Sequence, residues 1–390
     1  MNFDEIIDRR GHLSNKWDMM EALYGVPADD GLAMWVADMD FRSPDCVQDA
    51  VRAKLEHGIY GYMGDYGPYK SAIQWWMKNR HGWQVEQDWI LTVTGLCNGV
   101  GLAIDTLTNP SDGVMLFTPV YHAFARVIHA ANRKVVECPL VKSEGRYELD
   151  LDAYEALMTG NEKMLIMCSP HNPGGRVWSK DELRAVADFA RRHDLLIISD
   201  EVHHDLVFAG HKHTPMPIAD PSIVDRLIML TAPSKTFNTA GSHCGQMIVS
   251  DDTLRGQLKA RMNALSLASH DFGVAMTTGA YSPDGAAWVD ELVDYLDGNR
   301  KLFDEGVNAI PGVSSMPLEA TYLAWVDFSG TGMSREEYKR RVGQDARIAV
   351  NYGSTFGKGG ESYLRFNLGM PRARIQEAVE RLQKAFADLQ

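Results

Sequence analysis

"RLIMLTAPSKTFNTAG" (residues 226–241) places one lysine, Lys235, among hydroxyls, small residues and a proline, just past a short apolar run. Residues 227–230 are all apolar. A strand of that kind is buried on both faces, as in a parallel sheet covered by helices. Lysine is a compact, strongly hydrated cation, yet no acid adjoins Lys235 in the sequence. The expected partner of this amine is therefore something other than a neighbouring carboxylate.

The same arrangement recurs on both sides of this stretch. "ILTVT" (90–94) leads into "GLCNGVGLAIDTL", "GVMLF" (113–117) into "TPVYHAFARVIHAA", "MLIMC" (164–168) into "SPHNPGG" and a helical pattern, and "LLIIS" (195–199) into "DEVHHD"; "GQMIVS" (245–250) follows the lysine. Short strands alternating with helical patterns predict an α/β fold, with a mostly parallel central sheet and helices on both faces. Beyond residue 285 the pattern changes to long helical runs, two strand-like pieces (321–328 and 363–369) and a terminal amphipathic helix after Pro371. We read a large α/β domain over residues 46–285. Residues 1–45 and 286–390 are expected to form a smaller α+β domain with an N-terminal arm. A chain of 390 residues is long enough for both.

Composition narrows the function classes. A net charge of −13 without a basic run argues against nucleic acid, whose phosphates need a cationic surface. The five cysteines are scattered and form no CxxC, which fits a reducing compartment rather than a disulfide framework. The N-terminus carries charge from residue 4, unlike a signal peptide. No apolar run approaches the roughly 20 residues that span a bilayer. The expectation is a cytoplasmic protein with no membrane partner.

In open α/β sheets ligands bind at the carboxyl ends of the strands, so the residues leaving those ends matter most. They are Gly95, Leu96 and Cys97 at the start of a helix; Tyr121; Asn172; Asp200 and His203; and Ser234 with Lys235. Each alone has an ordinary explanation as a turn, a cap or a surface charge. Together they supply a helix N-terminus for an anion, an aromatic face, an amide, a carboxylate and a lysine. Pyridoxal 5'-phosphate (PLP) requires such a set, with a lysine for its aldehyde and an acid opposite its pyridine nitrogen.

"SPHNPGG", "SDEVHHD", "APSKTFNTAG" and "YLRFNLGMPR" together resemble the PLP-dependent enzymes of fold type I, in the aminotransferase class I/II family. "MWVADMDF" (34–41), "YGY" (60–62) and the histidine three residues after Asp200 bring the resemblance closer to its branch of cystathionine β-lyase-like C–S lyases. The resemblance covers essentially the whole chain. It implies that Lys235 binds the cofactor and moves the substrate proton, and that Asp200 partners the pyridine nitrogen. Asn172 and His203 would face the phenolic oxygen, and Tyr121 would stack on the ring. Gly95, Leu96, Cys97 and Ser234 would hold the phosphate. Tyr62 would reach the phosphate of a neighbouring subunit in a homodimer. Arg365, with Asn172 and Tyr121, would bind an amino-acid substrate. Residues 35–40 and the region of Tyr322 would line the pocket.

Three positions depart from the family pattern: Gly174 where NPTG has threonine, His243 where many aminotransferases place a phosphate-binding arginine, and Ala232 where some relatives have a hydroxyl. The implied reaction is β-elimination from a cysteine S-conjugate, giving thiol, pyruvate and ammonia. Transamination is the alternative enzyme reading, and a PLP-binding regulator acting by protein contact is the alternative from another class. His203, His204, Asp205, His211 and His213 match no common zinc spacing, so no metal is expected. "GSTFGKGGES" (353–362) lacks the spacing and the Ser/Thr of a phosphate-binding P-loop.

Overall fold

The structure is a computed structural model, described here for residues 1–389. Its centre is a seven-stranded sheet: β1 (Ile90–Val93), β2 (Gly113–Thr118), β3 (Lys134–Pro139), β4 (Glu162–Cys168), β5 (Leu196–Asp200), β6 (Leu227–Thr231) and β7 (Gly245–Ile248). The spatial order is β1-β7-β6-β5-β4-β2-β3. Pairs from β6 through β3 are parallel, and only β7 runs against its neighbours. The mostly parallel sheet expected from the sequence is therefore present. The edge strand β3 was not foreseen. Its exposed ends and half-buried middle weaken the apolar signal that marks the inner strands.

Successive side chains of a strand point to opposite faces, and here each face meets its own helices. Met115, Leu165, Met167 and Ile197 pack with Leu183, Val186 and Phe189 of α1 (Lys180–Arg192). Val114, Leu116, Ile166, Ile198 and Leu230 pack with Val100, Ala103 and Ile104 of α2 (Leu96–Leu107). A capping box fixes the start of α1: Ser179 accepts from the Glu182 amide and Glu182 accepts from the Ser179 amide.

A second sheet, β8 (Ser314–Ser315), β9 (Leu323–Asp327), β10 (Asn351–Tyr352) and β11 (Tyr363–Asn367), is antiparallel in the order β8-β9-β11-β10. The 26-residue α3 (Pro283–Asn308) and the terminal α4 (Arg372–Ala385) accompany it. The N-terminal segment pairs with this part of the chain, Leu32 and Ala33 running parallel to Ile348 and Ala349. Among the described residues no helix is long and apolar enough to cross a membrane.

Candidate active site

The carboxyl ends of the central strands open onto a cavity of about 250 Å³. Its lining includes Gly95, Leu96, Cys97, Tyr121, Asn172, Asp200, His203, Ser234 and Lys235. Residues far apart in the chain are gathered there because parallel strands deliver every exit to one edge of the sheet. A hydrogen bond between exits draws them closer: the Tyr121 amide donates to the Asn172 carbonyl at 3.1 Å. Gly95, before α2, has φ +91°, a conformation that glycine adopts far more readily than other residues. The first residues of α2, Leu96, Cys97 and Asn98, line the cavity, and the N–H groups of a helix's first turn, which lack helical partners, suit an anion.

Burial tunes the two charged groups at the centre. Asp200 is 6% exposed and accepts from the Val202 amide at 3.2 Å. Loss of water pushes its carboxyl up to about 6, against the pull of that N–H and of Lys235. The Lys235 ammonium is lowered, mainly by burial and also by the Arg365 charge. Its Nζ donates to the Ala37 carbonyl at 2.7 Å. The absence of an acid holds only along the sequence. In space the Asp38 charge acts on Lys235 and opposes part of the lowering. Asp38 is itself held by Arg9, whose two nitrogens lie 3.0 Å from its carboxylate oxygens.

His203 is buried, and its protonation is strongly disfavoured, first by burial and then by Lys235 and Arg365. Its Nδ1 has no hydrogen-bond partner, and neither does Oδ1 of the lining residue Asn98. Tyr121 lies beside Cys97, and its hydroxyl is held neutral well past the usual range, mainly by burial. Arg365 is 2% exposed. It donates from Nη1 to Asn172 Oδ1 at 2.9 Å, and from Nη2 to the Trp35 carbonyl at 3.0 Å and to Asn351. Its Nε is buried without a partner.

Tyr62 stands apart from this group. It lies on the loop between residues 58 and 66, fully exposed, and does not enter the cavity of its own chain. His243, at the position of the missing arginine, lines the cavity, with Nδ1 3.6 Å from where a Cβ on Gly95 would lie. The sequence reading missed Asn351. It lies opposite Arg365 through the β10–β11 register, and a two-residue strand leaves too little pattern to reveal that pairing. Ala37 was missed as an individual residue, because it acts through its carbonyl, which Lys235 and the Tyr322 hydroxyl share. His211 is exposed, whereas His204, His213, Asp205 and Glu201 gather with His81 behind the cavity wall.

The arrangement can take an anion at α2, a cationic ring nitrogen at Asp200, an electrophile at Lys235 and a carboxylate at Arg365. Comparison with known proteins points the same way. The family model for aminotransferase class I and II matches residues 36–382. The cystathionine beta-lyase PatB of Bacillus subtilis is 35% identical over 390 residues, covering 99% of this chain and 100% of the relative. The structure of cystalysin from Treponema denticola, which contains a pyridoxal 5'-phosphate cofactor, aligns with TM-score 0.95 and 35% identity over 100% of this chain and 99% of that one. A PLP-bound C–S lyase from Staphylococcus hominis aligns with TM-score 0.91 and 30% identity, over 99% and 98% of the two chains.

Proposed function

The chain belongs to the aminotransferase class I and II family, and from that premise we propose that it is a PLP-dependent C–S β-lyase acting on a cysteine S-conjugate. The observation that carries this reading is the convergence of Lys235, Asp200, Asn172, His203 and the start of α2 on one cavity, in a chain with full-length relatives that bear C–S lyase names.

The residues fit the cofactor. Asp200, costly to ionise alone, gains a cationic partner in a protonated ring nitrogen. The unpartnered Nδ1 of His203 and Oδ1 of Asn98 mark a wall short of polar partners, and buried polar groups normally have them. When bound, PLP supplies an aldehyde for the substrate amine and a ring that accepts the electron pair left at Cα.

Each residue then has a defined task. The amides of Leu96 and Cys97 and the Ser234 hydroxyl hold the phosphate. Asp200 keeps a proton on the ring nitrogen. Asn172 and His203 would face the phenolic oxygen, and Tyr121 would cover the ring. Arg365 takes the substrate carboxylate through its planar fork. Lys235, its pKa lowered by burial, removes the Cα proton as general base. The electron pair freed at Cα then forms the Cα=Cβ double bond as the Cβ–S bond breaks and the thiolate leaves with the pair of that bond; hydrolysis of the enamine so formed gives pyruvate and ammonia.

Lys235 and Asp200 lie in the expected large domain (46–285), whereas Arg365 and Ala37 lie in the expected small one (1–45 and 286–390). The site thus forms between them. The protein is expected to act as a homodimer in the cytoplasm. Ile59, Tyr60 and Tyr62 expose apolar surface on one loop, and the Tyr60 ring lies 5.6 Å from that of Phe272. A partner covering this patch would receive Tyr62 at its own phosphate.

The deciding experiment incubates the PLP-loaded protein with cystathionine and no 2-oxoacid. Release of pyruvate supports elimination. Turnover only after a 2-oxoacid is added would establish transamination instead.

A further inference from the structure

Behind the cavity wall, Asp205 collects four hydrogen-bonding groups. Trp76 Nε1 and His81 Nε2 lie 3.0 and 2.9 Å from its Oδ1. Thr236 Oγ1 and His204 Nε2 lie 2.9 and 3.3 Å from its Oδ2. The neighbouring Glu201 is filled in the same way, by Ser199 Oγ at 2.8 Å, the Met216 amide at 3.0 Å and His213 Nε2 at 2.8 Å. A carboxylate offers about four lone-pair directions; three of those of Asp205 take hydrogen bonds from Trp76, His81 and Thr236, and His204 Nε2, which bonds Thr231, stands within ion-pair distance of the fourth. The histidines and carboxylates of this cluster are therefore read as a hydrogen-bonded network rather than a metal cage.

The network grips one particular piece of chain. His204 Nε2 lies 3.2 Å from the hydroxyl of Thr231, the last residue of β6. Asp205 binds the hydroxyl of Thr236, the residue after Lys235. Adjacent residues thus hold both ends of the turn that carries Ser234 and Lys235. They belong to the exit of β5, which also carries Asp200. Trp76 and His81 anchor the grip on the helix Gly67–His81, and the His81 and His204 rings stack at 4.0 Å.

We infer that Asp205, assisted by His204, is a positioning residue that sets the Lys235 amine relative to Asp200 by holding Thr236. The inference rests on the assignment of Lys235 as the reacting amine. A general base displaced by about 1 Å can lose roughly 100-fold in rate, so a fixed turn at this lysine has a catalytic consequence. Asp205 is not among the residues lining the cavity; it acts on Lys235 through the turn it holds at Thr236.

The test is Thr236→Val in the PLP-loaded protein, which keeps the shape and removes the hydroxyl. The expected result is a fall in kcat of about tenfold or more, with KM within about twofold. The visible circular dichroism of the bound cofactor should change as well, and Thr236→Ser should restore both. Asp205→Asn, tested in parallel, should move kcat and the dichroic band in the same direction, and it serves if the valine variant does not fold. A melting temperature lowered without any change in kcat or in the dichroic band would overturn the inference, leaving a structural role only. Stoichiometric zinc in the purified protein would overturn it too, by making the cluster a metal site. The dichroic band is read without turnover, and the wild type is assayed alongside. Failure of the lyase reading would thus appear in the wild type, and failure of the clamp only in the variants.

Discussion

Arg365 and Asn172, 193 residues apart, are joined at 2.9 Å by a hydrogen bond from guanidinium Nη1 to amide Oδ1. Arg365 comes from β11 of the smaller sheet, and Asn172 from the exit of β4 in the larger one. The bond therefore ties the two sheets together at the cavity, and places the proposed carboxylate site beside the residue proposed to face the phenolic oxygen. Asn351 and the Trp35 carbonyl complete the guanidinium's surroundings. All of its partners are neutral, so its charge is uncompensated. Burial lowers its pKa to about 10. An uncompensated buried cation is a strong attractor for a substrate carboxylate.

Arg365→Lys keeps a positive charge but loses the planar fork. Hydrogen bonds to charged groups contribute about 1.5–3 kcal/mol. The kcat/KM for a cysteine S-conjugate should therefore fall roughly 10- to 100-fold, mainly through a raised KM. Steady-state kinetics check this. An unchanged KM with loss confined to kcat would remove Arg365 from substrate binding.

Lys235→Ala should lower pyruvate release by at least about 10³-fold, since it removes the general base and the cofactor attachment together. The absorbance of the lysine-bound cofactor should vanish with it. Stability should change little. The Ala37 carbonyl loses the Lys235 donor but keeps the Tyr322 hydroxyl at 2.9 Å. A variant that retained substantial activity would show that another group takes the proton.

Asp200 makes an opposed prediction for stability and for function. Its carboxyl titrates near 6 in the folded chain without cofactor, against about 3.9 when unfolded. Between roughly pH 4 and 6 the folded state therefore holds a proton that the unfolded state has lost, and this group's contribution to stability falls as pH rises. At about 1.4 kcal/mol per unit, the deficit above pH 6 reaches about 3 kcal/mol. Asp200→Asn does not ionise, so without cofactor it should melt above the wild type at pH 8 and close to it near pH 4. With PLP the order should reverse, because the wild type alone gains the ring-nitrogen partner. Melting curves at both pH values, with and without PLP, check the sign. A variant less stable than the wild type at pH 8 without cofactor would contradict it.

What was legible in the sequence follows from which signals are local. Apolar runs such as residues 227–230 show burial on both faces, and strand exits are by definition next to strands. Asp200, Asn172 and Lys235 could therefore be found by position. Asn351 and the spatial approach of Asp38 to Lys235 could not, because they depend on sheet register and on how the N-terminal arm lies. The edge strand Lys134–Pro139 escaped for a different reason. Only Cys138 of its six residues is buried, so neither a continuous apolar run nor an alternation stands out. Asp205 was visible as a residue, but its grip on Thr236 depends on the spacing of β5 and β6 in the folded sheet.

Tyr62 tests the proposed dimer. It is exposed in its own chain and is assigned to the partner's phosphate, so Tyr62→Ala should weaken PLP retention at a site it does not share a chain with. A mixture of Tyr62→Ala and Lys235→Ala proteins, unfolded and refolded together, then has a distinctive outcome. In each mixed dimer one site combines the intact Lys235 of one chain with the intact Tyr62 of the other, while the second site carries both defects. Random pairing of two equal populations makes about half of the dimers mixed, so about a quarter of all sites are restored. Pyruvate release at low PLP should approach that fraction of the wild-type rate, above the sum of the two variants refolded separately. If the mixture showed no more than that sum, Tyr62 would not serve a neighbouring site.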